Sequence, residues 1–239
     1  MFQKVQISPS ILSADLCNLE KEIKAIEAAG ASMVHVDVMD GHFVPNLTFG
    51  LPLVKRLREI TDLTLDVHLM ISNPVEFAER YLDAGADILT AHIEAGTPDE
   101  LVTFARKVHA AGKKAGVALR PSTKPEAIDD VIESFDMVLP MSVEPGFSGQ
   151  KFQPSVIDAM AEICAIAAAH NCKPLMQADG GVGVGTAQKV CTSGADVLVC
   201  GNACFCAEDY SKAISAIKVD AELGRTAGLK KQELLAQYL

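Results

Sequence analysis

Short apolar runs recur along the chain and alternate with longer segments in which apolar residues repeat at helical spacing. Most of the runs are unbroken stretches of Val, Ile, Leu and Met, which are typical of parallel strands covered on both faces. They predict eight strands, at Val5–Pro9, Met33–Val38, Leu63–Leu69, Asp87–His92, Lys114–Leu119, Met137–Ser142, Pro174–Ala178 and Val197–Cys200.

The segments between these runs are rich in Ala and Glu and predict amphipathic helices. Several carry Pro at the expected start and several are followed by Gly, the usual signals of a helix beginning and ending. A Gly-Ala pair followed by Ser or Asp recurs just before a strand at Gly30, Gly85 and Gly194, which indicates a repeated unit. The clearest predicted helices are Leu19–Ala29, Pro74–Ala84, Asp99–Ala111, Pro154–His170 and Thr186–Ser193.

Eight strands that alternate with helices, without a long linker, predict an α/β fold: a single (β/α)8 TIM barrel over residues 1–239. One further surface helix is expected from about Ala221 to the end. The alternative is an open doubly wound sheet, which usually carries a glycine fingerprint after its first strand. Because Ile7–Ala14 contains no glycine, the closed barrel is favoured.

Composition and charge limit the classes of function and partner that this chain can have. Hydrophobic residues make up 49% and charged residues 22% of the chain, which is ordinary for a globular protein with a full core. The net charge of −10 argues against nucleic acid or an anionic membrane as the main partner. No apolar run reaches about 18 residues, and the first residues lack a signal-peptide core. Seven cysteines without disulfide-type spacing predict a reduced, cytoplasmic protein, with a mature chain that has lost a transit peptide as the alternative.

Candidate chemistry is concentrated in the stretch MVHVDVMDGHFVPN, residues 33–46. Because side chains alternate along a strand, His35, Asp37 and Met39 point to one face. Strand three, in TLDVHLM, places His68 and Met70 in the same way. Charged groups are rarely buried in a barrel interior unless they are paired or bound to a metal.

Two histidines and two aspartates from separate strand ends suggest a site for one divalent ion per subunit. The mixed nitrogen and oxygen set suits Zn, Fe(II), Mn or Co. A lone histidine on an apolar strand is more often a hydrogen-bonded core residue. Two inward histidines with nearby aspartates favour the metal.

Glycine-rich loops follow strands six, seven and eight, where barrels frequently bind phosphate through backbone N–H groups. Tight turns explain any one of these loops, but three in succession favour phosphate. Three methionines, Met39, Met70 and Met141, are expected around the same mouth, although flexible core packing explains them equally well. The loop residues are Gly146, Phe147, Ser148, Gly149, Gly180, Gly181, Gly201 and Asn202.

The motifs SPSILSADL, HVDVMDGHFVPN, DVHLM, MSVEPGFSGQ and DGG, in this order, resemble the ribulose-phosphate 3-epimerase family. The resemblance extends from Ile7 to about Phe205. It implies a (β/α)8 barrel that interconverts D-ribulose 5-phosphate and D-xylulose 5-phosphate in the pentose phosphate pathway. A small sugar phosphate is therefore the expected partner, and an assembly of identical subunits is also expected.

Residue roles carried over from that resemblance agree with the site read from the strands. His35, Asp37, His68 and Asp179 would ligate the metal, and the two aspartates would transfer protons through an enediolate. The three methionines would shield that intermediate. Substrate contacts would come from Ser10, His68, Asp179 and the glycine-loop residues named above.

The chain departs from the family pattern in three places. Arg120 precedes Pro121 where Asn is common, Gly183 stands where Asn often follows the DGGV motif, and Cys204 lies near the phosphate end. Three other functions stay open: an epimerase for allulose 6-phosphate or another ketose phosphate, a phosphate-binding decarboxylase barrel, and a non-catalytic binding protein. The decarboxylase is disfavoured because the inward positions of strands two and three carry His and Asp rather than an Asp/Lys cluster.

Overall fold

A computed structural model describes residues 4–236 and shows a barrel of eight parallel strands. The strands pair in the order β1-β8-β7-β6-β5-β4-β3-β2, and a bridge between Ser10 and His35 links the two ends. The predicted TIM barrel is therefore confirmed. The strands are β1 Gln6–Ser8, β2 Met33–Met39, β3 Thr64–Met70, β4 Ile88–His92, β5 Lys114–Leu119, β6 Met137–Pro140, β7 Leu175–Ala178 and β8 Val197–Val199.

Helices cover the outside of the barrel, and two of them begin as their sequence signals predict. Pro74 and Pro98 each open a helix, and Thr97 and Glu100 form a reciprocal capping box. None of the described helices combines the length and hydropathy needed to cross a membrane. The helices are α1 Leu19–Ala28, α2 Leu51–Ile60, α3 Pro74–Asp83, α4 Pro98–Ala110, α5 Val156–Ala169, α6 Ala187–Thr192, α7 Asn202–Phe205 and α8 Tyr210–Ala236.

Two features differ from the predicted elements. The predicted start of the last helix near Ala221 was wrong, because α8 begins at Tyr210. Buried Ile214, Ile217 and Ala221 continue one apolar face through this region, so nothing interrupts the helix. The crossover between β5 and β6 carries only two 3-10 turns, Pro125–Ile128 and Ile132–Ser134, instead of an α-helix.

The barrel interior changes from apolar to polar along its axis. Met33, Ile88, Met137 and Val197 form an apolar cluster near the N-terminal ends of four alternate strands. Above it lie Ser8, Asp66 and Gln177 from odd-numbered strands, all fully buried and joined by hydrogen bonds. We call these three residues the polar layer. It supports the polar groups at the C-terminal mouth from below.

Helices α6 and α8 pack at very short range, because two glycines of α8 face the backbone of α6. A Cβ atom on Gly224 would lie 2.1 Å from the carbonyl oxygen of Gln188. A Cβ atom on Gly228 would lie 2.6 Å from the carbonyl oxygen of Thr192. Only glycine permits this separation of the two helices.

Replacing Gly224 with Ala should therefore lower the free energy of unfolding by about 1–3 kcal/mol, the usual effect of overpacking. Chemical denaturation measures this change. Ser215→Ala, at an exposed position of the same helix, is the control and should stay within about 0.5 kcal/mol of the original protein. Equal stability of the two variants would contradict the close packing of α6 and α8.

Candidate metal centre and active site

The four side chains predicted as metal ligands lie together at the C-terminal mouth of the barrel. One ligand atom from each of His35, Asp37, His68 and Asp179 can be chosen so that all four lie within 4.8 Å of one another. The first two come from β2 and the third from β3, where strand alternation turns them inward. Asp179 follows β7 directly and is bridged to Met141. The predicted convergence of these residues is therefore present.

The polar layer fixes the orientation of His35. Asp66 Oδ2 lies 2.8 Å from His35 Nδ1 and also accepts hydrogen bonds from Ser8 Oγ at 3.0 Å and Gln177 Nε2 at 2.5 Å. Burial alone would raise the pKa of Asp66, but His35 and these hydrogen bonds outweigh it and lower that pKa. The carboxylate therefore accepts a hydrogen bond from Nδ1–H, so Nε2 is the nitrogen that faces the mouth and can bind an ion.

His35 Nε2 is buried and has no hydrogen-bond partner among the described residues, although Asp37 Oδ1 lies 3.3 Å away. A buried nitrogen without a partner is unfavourable unless something binds it. It points to the same place as the Asp37 and Asp179 carboxyls and His68. Two imidazoles and two carboxyls form a donor set that fits Zn, Fe(II), Mn or Co.

The two aspartates have opposite pKa shifts. Burial alone would raise the pKa of Asp37, but the adjacent His35 and His68 outweigh burial and lower that pKa. Ser10 Oγ also donates to Asp37 Oδ2 at 2.5 Å. Burial, together with the nearby Asp37 carboxylate, raises the pKa of Asp179 to about 6. One carboxyl therefore favours the ionised form while the other holds a proton more readily, as acid-base chemistry on one substrate requires.

A cavity of about 310 Å³ opens at this mouth and brings together most of the predicted substrate contacts. Asp37 and Asp179 border the cavity, whereas His35 and His68 lie behind its wall. The structure also adds Ser13, Val184 and Thr186 to the lining. The predicted residues that line it are Ser10, Met39, Met70, Met141, Gly146, Phe147, Ser148, Gly149, Gly180, Gly181, Gly201 and Asn202.

The loop after β7 depends on glycine for its shape. Gly180 and Gly181 have φ angles of +104° and +60°, in the left-handed region that L side chains rarely adopt. A Cβ atom on Gly181 would also lie 2.7 Å from the backbone nitrogen of Phe152. These two glycines let the chain turn sharply next to Asp179 and remain close to the loop that follows β6.

Two members of the polar layer, Asp66 and Gln177, were missing from the predicted site. A signal for Asp66 exists in the sequence, since it precedes His68 by two residues in TLDVHLM and shares its inward face. Gln177 likewise precedes Asp179 by two residues. A polar residue inside an otherwise apolar strand is the general signal in both cases.

Comparison with known proteins agrees with this geometry. The model of the family described as ribulose-phosphate 3 epimerase matches residues 6–205. The chain belongs to the ribulose-phosphate 3-epimerase family. A family member from Arabidopsis thaliana, named chloroplastic ribulose-5-phosphate-3-epimerase, is 45% identical over 212 residues, covering 89% of this chain and 75% of that protein. The ribulose-phosphate 3-epimerase of Bacillus subtilis is 45% identical over 215 residues, covering 90% and 98% of the two chains.

More distant structures share the barrel of this epimerase family. A crystal structure of KGPDC from Streptococcus mutans has a TM-score of 0.68 at 12% identity, covering 92% of this chain and 98% of that one. A crystal structure of 3-hexulose-6-phosphate synthase has a TM-score of 0.64 at 18% identity, covering 91% and 99%. At such low identities the similarity concerns the fold alone.

Arg120, a departure from the epimerase family pattern, joins the end of β5 to the loop after β2. Its guanidinium carbon lies 4.3 Å from the centre of the Phe43 ring, and Nη2 donates to the Phe43 carbonyl oxygen at 2.9 Å. Arg120 is not among the residues that line the cavity at the mouth, and neither is Cys204, which is fully buried in α7. Gly183, the third departure, does line it.

Replacing Arg120 with Leu should lower the free energy of unfolding by about 1–3 kcal/mol, because a charged hydrogen bond and a cation–π contact are lost together. Chemical denaturation measures the change. Arg80→Leu is the matched control, since Arg80 lies over Phe77 at 5.2 Å on the exposed side of α3. If both variants lose the same stability, the contact between Arg120 and the β2 loop has no special importance.

Proposed function

We propose that this chain catalyses the epimerisation of D-ribulose 5-phosphate to D-xylulose 5-phosphate at C3. The observation that carries the proposal is the pair of carboxyls, Asp37 on β2 and Asp179 directly after β7, which both line one cavity. Membership of the epimerase family and the names of relatives at 45% identity support the same reaction.

Inverting C3 of a 2-ketose requires removal of a proton next to a carbonyl and its replacement on the opposite face. One ionised and one protonated group must therefore flank the carbon. Asp37, whose lowered pKa keeps it ionised, would accept the proton from one of the two pentulose phosphates, and Asp179, whose pKa is raised, would supply the proton on the other face. In the reverse direction the roles exchange, and the intermediate is the enediolate of the sugar.

His35, Asp37, His68 and Asp179 are the residues that would hold one divalent ion, of Zn, Fe(II), Mn or Co. When bound, such an ion supplies Lewis-acid stabilisation of negative charge that develops on substrate oxygens. The chain itself would hold the two carboxyls on either side of the reacting carbon. Ser10 holds Asp37 in place through the hydrogen bond to Oδ2.

The remaining cavity residues would bind and shield the substrate. The glycine loops after β6, β7 and β8 allow close approach of the backbone to a phosphate group. Binding of the phosphate, remote from C3, orients the sugar between the carboxyls. Met39, Met70 and Met141 form an apolar part of the wall that would limit access of water to the enediolate.

A coupled assay of purified protein tests the proposal with three substrates: D-ribulose 5-phosphate, D-ribulose and allulose 6-phosphate. We expect the highest kcat/KM for the pentulose phosphate and very poor turnover of the unphosphorylated sugar. A higher kcat/KM for allulose 6-phosphate would replace the proposed substrate with a hexulose phosphate. Assembly of identical subunits and a cytoplasmic location stay predictions.

A further inference from the structure

A second chain of hydrogen bonds reaches the site from the side of β4 and ends on His68. His68 Nε2 lies 2.9 Å from His92 Nε2, and His92 Nδ1 lies 2.9 Å from Glu94 Oε2. His68 and His92 are fully buried, and their rings are stacked with centroids 5.0 Å apart. On its other side, His68 Nδ1 faces Asp37 Oδ1 at 3.3 Å.

Glu94 is itself held by the end of β5. Its Oε1 accepts a hydrogen bond from the backbone N–H of Arg120 at 2.9 Å and another from Thr123 Oγ1 at 2.5 Å. A carboxylate offers only acceptors, so the Oε2 contact requires a proton on His92 Nδ1. Three donors therefore converge on Glu94, and its orientation is determined by groups outside the metal site.

The position of one proton then determines the next. With its proton on Nδ1, a neutral His92 can only accept at Nε2. The contact between the two Nε2 atoms consequently needs a proton on His68 Nε2. His68 Nε2 is thereby engaged with His92, so Nδ1, which faces Asp37 Oδ1 and the space between the four predicted ligands, is the nitrogen that remains for a metal.

We propose that His92 and Glu94 are positioning residues that hold His68 in the tautomer able to bind a metal through Nδ1. The polar layer does the same for His35 but with the opposite result, because Asp66 accepts a hydrogen bond from Nδ1–H and leaves Nε2 to face the ion. The two histidines therefore offer different ring nitrogens to one ion, each selected by its own hydrogen-bond chain. This inference rests on the proposed metal site, but it concerns an arrangement that exists without the ion.

The first test reads the tautomers directly. Nitrogen NMR of histidine-labelled, metal-free protein distinguishes protonated from unprotonated ring nitrogens, and His→Gln variants assign the signals. We expect His68 to be protonated at Nε2 and His92 at Nδ1. A His68 that carries no proton on Nε2 in the original protein would overturn the proposal.

Glu94→Gln is the sharpest variant, because it keeps the shape but replaces one acceptor with a donor. The Gln oxygen must face the Arg120 N–H, which turns the amide nitrogen toward His92 Nδ1. His92 should then carry its proton on Nε2, and His68 should carry its proton on Nδ1. A role of Glu94 in packing alone predicts no such reversal, and unchanged tautomers in Glu94→Gln would also overturn the proposal.

Metal affinity is the second readout, measured by competition of Co(II) or Zn(II) with a chelator. Loss of an outer hydrogen-bond partner typically weakens metal binding by about 10–100-fold, and we expect that loss for Glu94→Gln and His92→Phe. His92→Gln can accept from His68 and donate to Glu94, so it should bind almost as well as the original. Glu79→Gln, which also removes a charge but lies on the exposed side of α3, is the control and should bind normally.

The outcomes separate this inference from the proposed function. Normal metal affinity in Glu94→Gln and His92→Phe would overturn the positioning role while leaving the epimerase intact. Expected tautomers and metal affinities in a protein that does not turn over D-ribulose 5-phosphate would remove the proposed function and leave the positioning role. Thermal unfolding of the metal-free variants checks that each is folded.

Discussion

Replacing Asp179 with Asn is expected to lower kcat for D-ribulose 5-phosphate by about 10²–10⁴-fold, the usual contribution of one acid-base group. The amide keeps the size of the side chain but cannot exchange a proton with C3. Asp37→Asn should cause a loss of the same order, because the reaction needs a group on each face of the carbon. The coupled assay measures both losses.

Exchange of the C3 hydrogen with deuterated water separates the two roles. Each of the two pentulose phosphates would be deprotonated by a different carboxyl. A variant that keeps the carboxyl for one of these sugars should still exchange the C3 hydrogen of that sugar but should fail to invert the carbon. Asp83→Asn is the control, because Asp83 is exposed at the end of α3 and does not line the cavity. Turnover near the original level in either Asp37→Asn or Asp179→Asn would remove that residue from the catalytic pair.

Removal of divalent metal by a chelator should reduce turnover by about 10²–10³-fold, since Lewis-acid stabilisation is worth several kcal/mol and each 1.4 kcal/mol is tenfold. The reason lies in the donor set: His35 Nε2 is buried and without a hydrogen-bond partner, next to two carboxyls and a second imidazole. Activity and metal content, measured on the same sample, test this expectation.

Reconstitution provides the control for chelation. Adding back Zn, Mn, Co or Fe(II) should restore activity, with one equivalent bound per chain, and the ion that restores most activity is the preferred one in vitro. His35→Gln should lower both metal content and turnover in parallel. Full activity in a sample with no detectable metal would contradict a catalytic ion and leave the carboxyl pair to act alone.

The strands could be predicted well from the sequence, because burial on both faces requires short, nearly unbroken runs of apolar residues. Strands such as β2 and β3 are fully apolar except at alternate positions, so His35, Asp37 and His68 could be assigned to the interior before any coordinates were known. Their convergence with Asp179 follows from closure of the barrel. The end of each strand was therefore predictable as a place for chemistry.

The contacts that could not be predicted from the sequence join residues that are distant along the chain. Asp66 and Gln177 are separated by 111 positions, and no local pattern indicates that they share a hydrogen bond. The contact of Arg120 with Phe43 spans 77 positions and depends on the path of a loop. The start of α8 was missed for a different reason, because its first turns bury only Ile214 and Ile217 before Ala221, which is a weak hydrophobic signal.

The polar layer of Ser8, Asp66 and Gln177 also affects how this protein can evolve. Aliphatic side chains of similar volume would pack the same space without desolvating a carboxylate, and such replacements often increase stability. Selection for heat resistance alone would therefore favour an apolar cluster at the centre of the barrel. An apolar cluster would remove the hydrogen bond from His35 to Asp66 and leave His35 free to rotate. A more stable variant of this kind would therefore be a poorer catalyst.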